Sequence, residues 1–372
     1  MLYLFIPEHH PAQNNFEISR LYSYYKKIVS DDIFQDMIWV ICDYCGCLQL
    51  GELIPLDILY GSNHNNGVVG ATWDRHHQEF AKFILKNNPK EIGASNRYLE
   101  IGGSHGYLAS LILQEIPDAE YAMIEPNASN LDSRIKLVSG FAEDHLDLLA
   151  NYPTIIHSHV LEHVYSARDF LDSISSAMYG SSEMYISFPN IQSFLETNGT
   201  NSLNFEHTYF LEPSQLKSVL EQLNFKVAEV YEFEKHSFFF KVVKKSGKGF
   251  VRPIVNIKEK VWYFDNMWNE LEKFTSETRI RLSQDNVPTF LFGAHIFSQV
   301  LYLLGISKNV IGVLDNSSAK IGERLYGTPY KVFDPAEISS MSAVRVILKA
   351  GSYQDEIRAQ LLSINSDVQI LE

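Results

Sequence analysis

Between Trp73 and about Lys245 the chain repeats one pattern, an apolar run of strand length followed by an amphipathic stretch of helix length. The runs lie at 97–101, 120–125, 135–138, 154–160 and 183–188, with helical patterns such as 108–116 and 167–178 between them. A chain that alternates the two periods buries both by laying strands parallel and covering the sheet with helices on both faces. The end of the block departs from this. Two apolar runs, 225–235 and 236–245, follow one another with no helix between, so they are expected to pair antiparallel. The expectation is an α/β fold, a Rossmann-like sheet whose last strand is antiparallel.

At 372 residues the chain exceeds one ordinary core. Three regions separate. Residues 1–72 read as a small, irregular N-terminal domain that carries all the cysteines, and 73–245 hold the alternating block. The basic, Gly-containing stretch KKSGKGFVRP (244–253) reads as a linker. Region 246–372 then opens with a long helix from Val255 to about Leu282, with Trp262, Phe264, Met267, Leu271 and Phe274 at helical spacing. After it the strand–helix alternation resumes, which predicts a second parallel sheet.

Composition excludes some partners. With 31 basic against 45 acidic residues the net charge is −14, so neither nucleic acid nor an anionic membrane is expected. The start, MLYLFIPEHH, has no basic segment before its apolar run, and no run approaches the ~20 apolar residues of a membrane helix. The three cysteines all fall within 42–47 and make no disulfide framework, so a cytoplasmic protein with reduced thiols is expected.

The most informative stretch is YLEIGGSHGYLA (98–109), where an apolar strand ends in Glu100 and Gly102, Gly103 and Gly106 frame a loop that opens a helix. Glycines there let a ligand lie against backbone, beside the free N–H groups of a helix start. A dinucleotide fold needs G-x-G-x-x-G, whereas the spacing here is E-x-G-x-x-x-G. This form resembles motif I of class I S-adenosylmethionine-dependent methyltransferases. The resemblance places the cofactor on Glu100, Gly102, Gly103 and Gly106, with Glu125 and Pro126 ending the next strand at the ribose. It also places Phe141, Ala142 and Glu143 around the adenine and His159 beside the donor.

Further stretches resemble one subgroup, the three-part sugar C-methyltransferases that act on nucleotide-linked keto-sugars. ICDYCGCLQL (41–50) is similar to the second half of that group's N-terminal zinc motif. LEHV (161–164) and FEHTYF (205–210) resemble its active-site segments, and LFGAH (291–295), VLDNSSAKIG (313–322) and YGTP (326–329) its C-terminal Rossmann-like domain. The resemblance implies a methyl transfer from S-adenosylmethionine to a nucleotide-linked sugar, at carbon or, failing that, at a hydroxyl oxygen. It implies zinc at Cys42 and Cys45, but this chain has one Cys pair where the group has two, so the stretch is either a zinc site completed by residues such as His9 and His10 or a reduced, metal-free remnant. It also departs at Asn204, where the group carries a Tyr, and at Phe205, where a polar residue is common.

Methylating carbon or a hydroxyl requires a base, and an imidazole titrating near neutrality suits the task. His207 follows the strand ending SFPN (187–190), on the rim where open α/β sheets bind ligands, and is the expected base. His163 is the second candidate. Glu206 points away from His207 in an extended chain, so it orients the imidazole only if the loop is kinked, and otherwise binds substrate. Asn204 and Tyr209 are expected at the substrate, Tyr60 and His64 as a lid over it, and His157 in the packing. In the C-terminal region Gly293 and His295 form a strand-to-helix turn suited to phosphate, and Asp315 ends the next strand near a ribose or sugar hydroxyl. Rival classes are an NAD-dependent sugar oxidoreductase or epimerase and a non-catalytic binding partner.

Overall fold

The fold is that of a computed structural model, which describes residues 9–11, 35–42, 44–59, 71–88, 96–128, 131–197, 204–247, 249, 253 and 256–372. The N-terminal region was expected to be irregular. Its described part builds a hairpin instead, from β2 (Trp39–Cys42) and β3 (Leu48–Leu50), flanked by β1 (His9–Pro11). Two helices follow, α1 (Leu56–Leu59) and α2 (Ala71–Asn87).

The alternating block forms a seven-stranded sheet. Its elements are β4 (Arg97–Ile101), α3 (Tyr107–Glu115), β5 (Glu120–Ile124), β6 (Ile135–Val138), α4 (Leu146–Leu149), β7 (Thr154–Ser158), α5 (Ala167–Ala177) and β8 (Glu183–Pro189). They continue with α6 (Ile191–Glu196), β9 (Tyr209–Phe210), α7 (Pro213–Gln222), β10 (Phe225–Phe233) and β11 (Ser237–Lys244). The strand order is β10-β11-β8-β7-β4-β5-β6, and β11 runs antiparallel to both neighbours, as the missing helix between the last two runs requires. Strand order reverses at β4, whose parallel partners are β5 and β7, so a crevice opens beyond its C-terminal end.

Alternation along each strand divides the core. Leu99, Ile101, Ala122, Ile124, Ile155, Met184 and Ile186 face α5 and α7, which cover them with Phe170, Leu171, Ile174, Leu216, Val219 and Leu220. Tyr98, Tyr121, Met123, Ile156 and Tyr185 face the other way, under Phe80, Phe83 and Ile84 of α2 and Leu108, Ile112 and Leu113 of α3. Each such buried aliphatic or Phe side chain contributes about 1.5–3 kcal/mol.

The loop holding residues 204–208 leaves this sheet, and β9 joins the N-terminal hairpin. Phe210 pairs with Leu48 and Tyr209 with Gln49, while the Phe210 ring stacks on Trp39 at 5.5 Å. Behind them lies α8 (Ile257–Ser283), whose Phe264, Met267, Trp268 and Leu271 share one core with Trp39, Leu48, Phe205 and Phe210. Its Lys260, almost fully buried, ion-pairs with Glu212 and donates to the Gly46 carbonyl at 2.6 Å. The chain ends in a five-stranded all-parallel sheet of β12 (Thr289–Phe292), β13 (Val310–Leu314), β14 (Val332–Phe333), β15 (Arg345–Ile347) and β16 (Gln369–Leu371). Its strand order is β14-β13-β12-β15-β16, and its helices are α9 (Ile296–Leu303) and α10 (Gln354–Ile364).

Candidate active site

A cavity of about 1210 Å³ lies at the C-terminal ends of β4, β5, β7 and β8. At one end β4 delivers Glu100 and the glycine loop. The Gly102 N–H donates to the Ile124 carbonyl at 2.9 Å, which pins the loop to β5. A Cβ on Gly103 would come within 2.9 Å of Glu100 Oε2 and 2.2 Å of Met123 Sδ, so backbone alone fits there. Gly106, at φ 70°, turns the chain into α3. Glu100 is buried and accepts from the Tyr121 hydroxyl at 2.9 Å, and burial lifts its pKa to about 7. Glu125 stands opposite the loop, where its carboxylate accepts from the backbone N–H of Ser104 and of Asn127, both at 3.0 Å. Two amide donors fix its oxygens at the rim. Pro126, Phe141, Ala142 and Glu143 line the same end, with Phe141 half exposed.

The middle of the cavity is walled by a group of histidines around Trp73, at the start of α2. The Trp73 ring lies 4.7 Å from His159, 5.1 Å from His76, 5.8 Å from His77 and 5.1 Å from His236. His159 takes a left-handed φ of 53°, which an imidazole adopts only when held there. Its N–H donates to the Ser187 carbonyl, Nδ1 pairs with Glu162 Oε1 at 2.9 Å, and Nε2 meets Ser237 Oγ at 2.9 Å. Burial pushes the His159 and His76 pKa values well below the usual range and takes His236 down to about 4, so the cluster is neutral near pH 7.

Another part of the wall holds His163, Asn204, Glu206 and His207. Asn204 Oδ1 accepts from the N–H of both Glu206 and His207, each at 2.9 Å, and this turn kinks the loop. The kink lets Glu206 and His207 face the cavity together, which an extended chain forbids. Thr208 anchors the loop through its N–H to the Glu162 carbonyl at 2.8 Å and its hydroxyl to the Val164 carbonyl at 2.9 Å. The segment 161–163 is thereby drawn against the loop, and the His163 and His207 rings come to 5.0 Å.

Other expected residues lie elsewhere. Tyr209 does not line the cavity. It is buried on β9, and its hydroxyl donates to the Leu161 carbonyl. Asn204 shapes the loop through its carbonyl oxygen while lining the wall. Gly293, His295 and Asp315 stand apart from the cavity lining, and Tyr60 and His64 fall outside the described residues. From the C-terminal sheet it is Gly351 and Tyr353 that reach the cavity. Glu162, Trp73, His77 and Tyr353 were not singled out from the sequence. The one available signal was the aromatic spacing of Trp73, His76 and His77, a single helix face.

Cys42, Cys45 and Cys47 are buried in the packed core. Hydrogen bonding from Cys42, with burial, drives the Cys45 thiol far above its usual range, and burial pushes Cys47 up to about 12. Among the described side chains no third nitrogen or sulfur ligand gathers at Cys42 and Cys45, so the described residues do not make the four-ligand cage that zinc prefers.

Residues 73–230 match the family model described as a methyltransferase domain. A search of curated proteins finds no match. Among solved structures, an O-methyltransferase from neocarzinostatin biosynthesis, crystallised with S-adenosylmethionine and 2-hydroxy-5-methyl naphthoic acid, is 17% identical, with a TM-score of 0.37, over 46% of this chain and 56% of that one. Magnesium protoporphyrin IX methyltransferase from Synechocystis PCC 6803, with bound S-adenosylhomocysteine, is 13% identical (TM-score 0.37; 50% of this chain, 91% of that one). A glycopeptide N-methyltransferase complexed with S-adenosylmethionine is 15% identical (TM-score 0.35; 45% and 93%). This chain thus spans little more than half the length of the first, and overlaps so partial say nothing of its acceptor. Residues 73–230 of this chain are thus similar to a methyltransferase domain.

Proposed function

We propose that the enzyme methylates a carbon of a nucleotide-linked keto-sugar, in the cytoplasm, with His207 as the base. The supporting observation is that the glycine loop and the His207–His163 pair line one cavity of about 1210 Å³. That is more than a single small ligand usually fills, so donor and acceptor fit together. His207 takes the proton α to the ketone. The resulting enolate carbon bonds to the methyl group as the methyl–sulfur bond breaks, and that electron pair stays on sulfur as S-adenosylhomocysteine leaves. Glu206, turned inward by the Asn204 kink, binds a sugar hydroxyl, and His163 supports the base. Gly351 and Tyr353 line the same cavity, which supports giving the nucleotide to the C-terminal region. At a hydroxyl acceptor His207 takes the O–H proton in the same way.

The test uses a nucleotide-linked keto-sugar in deuterium oxide. Wild type should exchange the α-proton without methyl donor and His207→Asn should not. Exchange surviving in that variant moves the base to His163, and methyl transfer to an acceptor lacking such a proton moves the reaction to oxygen.

A further inference from the structure

Among the described residues one group of three side chains can close on a metal ion, namely Glu162, His163 and His207, whose ligand atoms lie within 4.8 Å of one another. We propose that these three residues form a binding site for a divalent transition cation of the zinc or cobalt class at the acceptor end of the cavity. Two imidazoles and one carboxylate are the donor set such ions select, and three protein ligands leave positions open to the cavity. Around a cation with ~2.1 Å bonds, tetrahedral ligands stand about 3.4 Å apart, so shifts of about an ångström close the set.

A second observation points to the same ion. Glu162 is only 3% exposed, yet its Oε2 has no hydrogen-bond partner among the described residues. A buried carboxylate oxygen left unpaired is costly, and a cation is one way to satisfy it. Its Oε1 is held by His159 Nδ1 at 2.9 Å, as ligating carboxylates are held from behind. The group also spans the fold. Glu162 and His163 come from the turn after β7, and His207 comes from the loop tied to the N-terminal hairpin, so a cation would bridge them. The site goes beyond the base reading and competes with it, because the imidazole nitrogen that ligates a cation cannot take a proton. A loaded enzyme is therefore silent in α-proton exchange until the ion is removed.

The test is calorimetry of zinc chloride and cobalt(II) chloride into chelator-treated, full-length protein without donor or acceptor. One ion per chain is expected. Glu162→Gln and His163→Asn should each weaken binding at least ~100-fold, more than losing an outer-shell partner does. Cys42→Ser should leave it intact, and the cobalt spectrum should lack a thiolate charge-transfer band. Melting curves check folding, and if Glu162→Gln is unfolded, His163→Asn decides. No saturable binding, or binding lost in Cys42→Ser and kept in His163→Asn, overturns the site. Binding needs no turnover, so normal ion binding by a protein whose ion-free form has no keto-sugar activity contradicts the acceptor assignment alone. α-Proton exchange with no ion binding contradicts the metal site alone.

Discussion

The two parallel sheets begin alike and end differently. In each, a central strand runs into a glycine turn and a helix, and the next strand ends in an acid. In each, that acid accepts an N–H from the glycine turn and another two residues on. Glu125 takes Ser104 and Asn127, both at 3.0 Å, and Asp315 takes Ala294 at 2.7 Å and Ser317 at 2.8 Å. The difference is what fills the space in front. Before Gly102 and Gly103 lies the open cavity. Before Gly293 lies the His295 ring, 2.4 Å from where a Cβ would stand, and Lys320 adds a third contact to Asp315 at 3.3 Å. One local arrangement thus serves a ligand in the first sheet and closes on itself in the second. A strand–glycine–helix–acid sequence specifies a turn, and whether the turn is a site depends on the side chains that follow.

Several measurements press on this contrast. The largest effect belongs to the reactive end, which only the first sheet adjoins. His207→Asn should lower methyl transfer by about 10²–10⁴-fold, the usual contribution of a positioned base, while donor affinity is unchanged. Rates within a few-fold of wild type would remove His207 from the chemistry. In the second sheet Asp315→Ala should cost stability, about 3 kcal/mol, because it removes the acceptor of the Ala294 and Ser317 N–H groups. Denaturant unfolding reads this directly, and a negligible change would mean that the turn holds without its acid.

A smaller effect concerns pH. His157 is fully buried with both ring nitrogens unpartnered among the described residues, and burial lowers its pKa to about 3. The unfolded chain binds this proton below its ordinary pKa of ~6.5 and the fold does not, so stability is full above that value and is lost as pH falls. From pH 7 to pH 5 wild type should lose about 2 kcal/mol more than His157→Leu. Glu100, raised to about 7, acts in the opposite sense: its contribution is lost as pH rises through 7. It is present in both proteins and cancels in the difference. Parallel pH profiles would show that His157 is not carried neutral in the fold.

Legibility followed the range of the interactions. The runs at 97–101 and 135–138 became β4 and β6, because strand length and flanking turns are local properties. The missing helix before His236 announced the antiparallel β11. The helix expected from Val255 to Leu282 is α8, Ile257–Ser283. The shape of the glycine loop was legible for the same reason, since Gly102 and Gly106 set backbone turns and Glu125 sits at a strand end. The pairing of β9 with the N-terminal hairpin was not legible, because two residues at 209–210 carry no strand signal and gain their partner only from the tertiary fold. Without that pairing the approach of His207 to Glu162 and His163 cannot be foreseen. Nor can the loss of Tyr209 from the cavity wall, since its side chain turns into the core that the pairing creates. At the Gly293 turn the sequence could not show that the His295 ring lies against the glycine.

The most direct test of the contrast is calorimetry of S-adenosylmethionine with wild type, Glu125→Ala and Asp315→Ala. The account predicts one donor site per chain, weakened by about 1–3 kcal/mol in Glu125→Ala through lost charged hydrogen bonds and unchanged in folded Asp315→Ala. Donor binding that ignores Glu125→Ala or disappears in folded Asp315→Ala would place the donor at the wrong sheet and contradict the account.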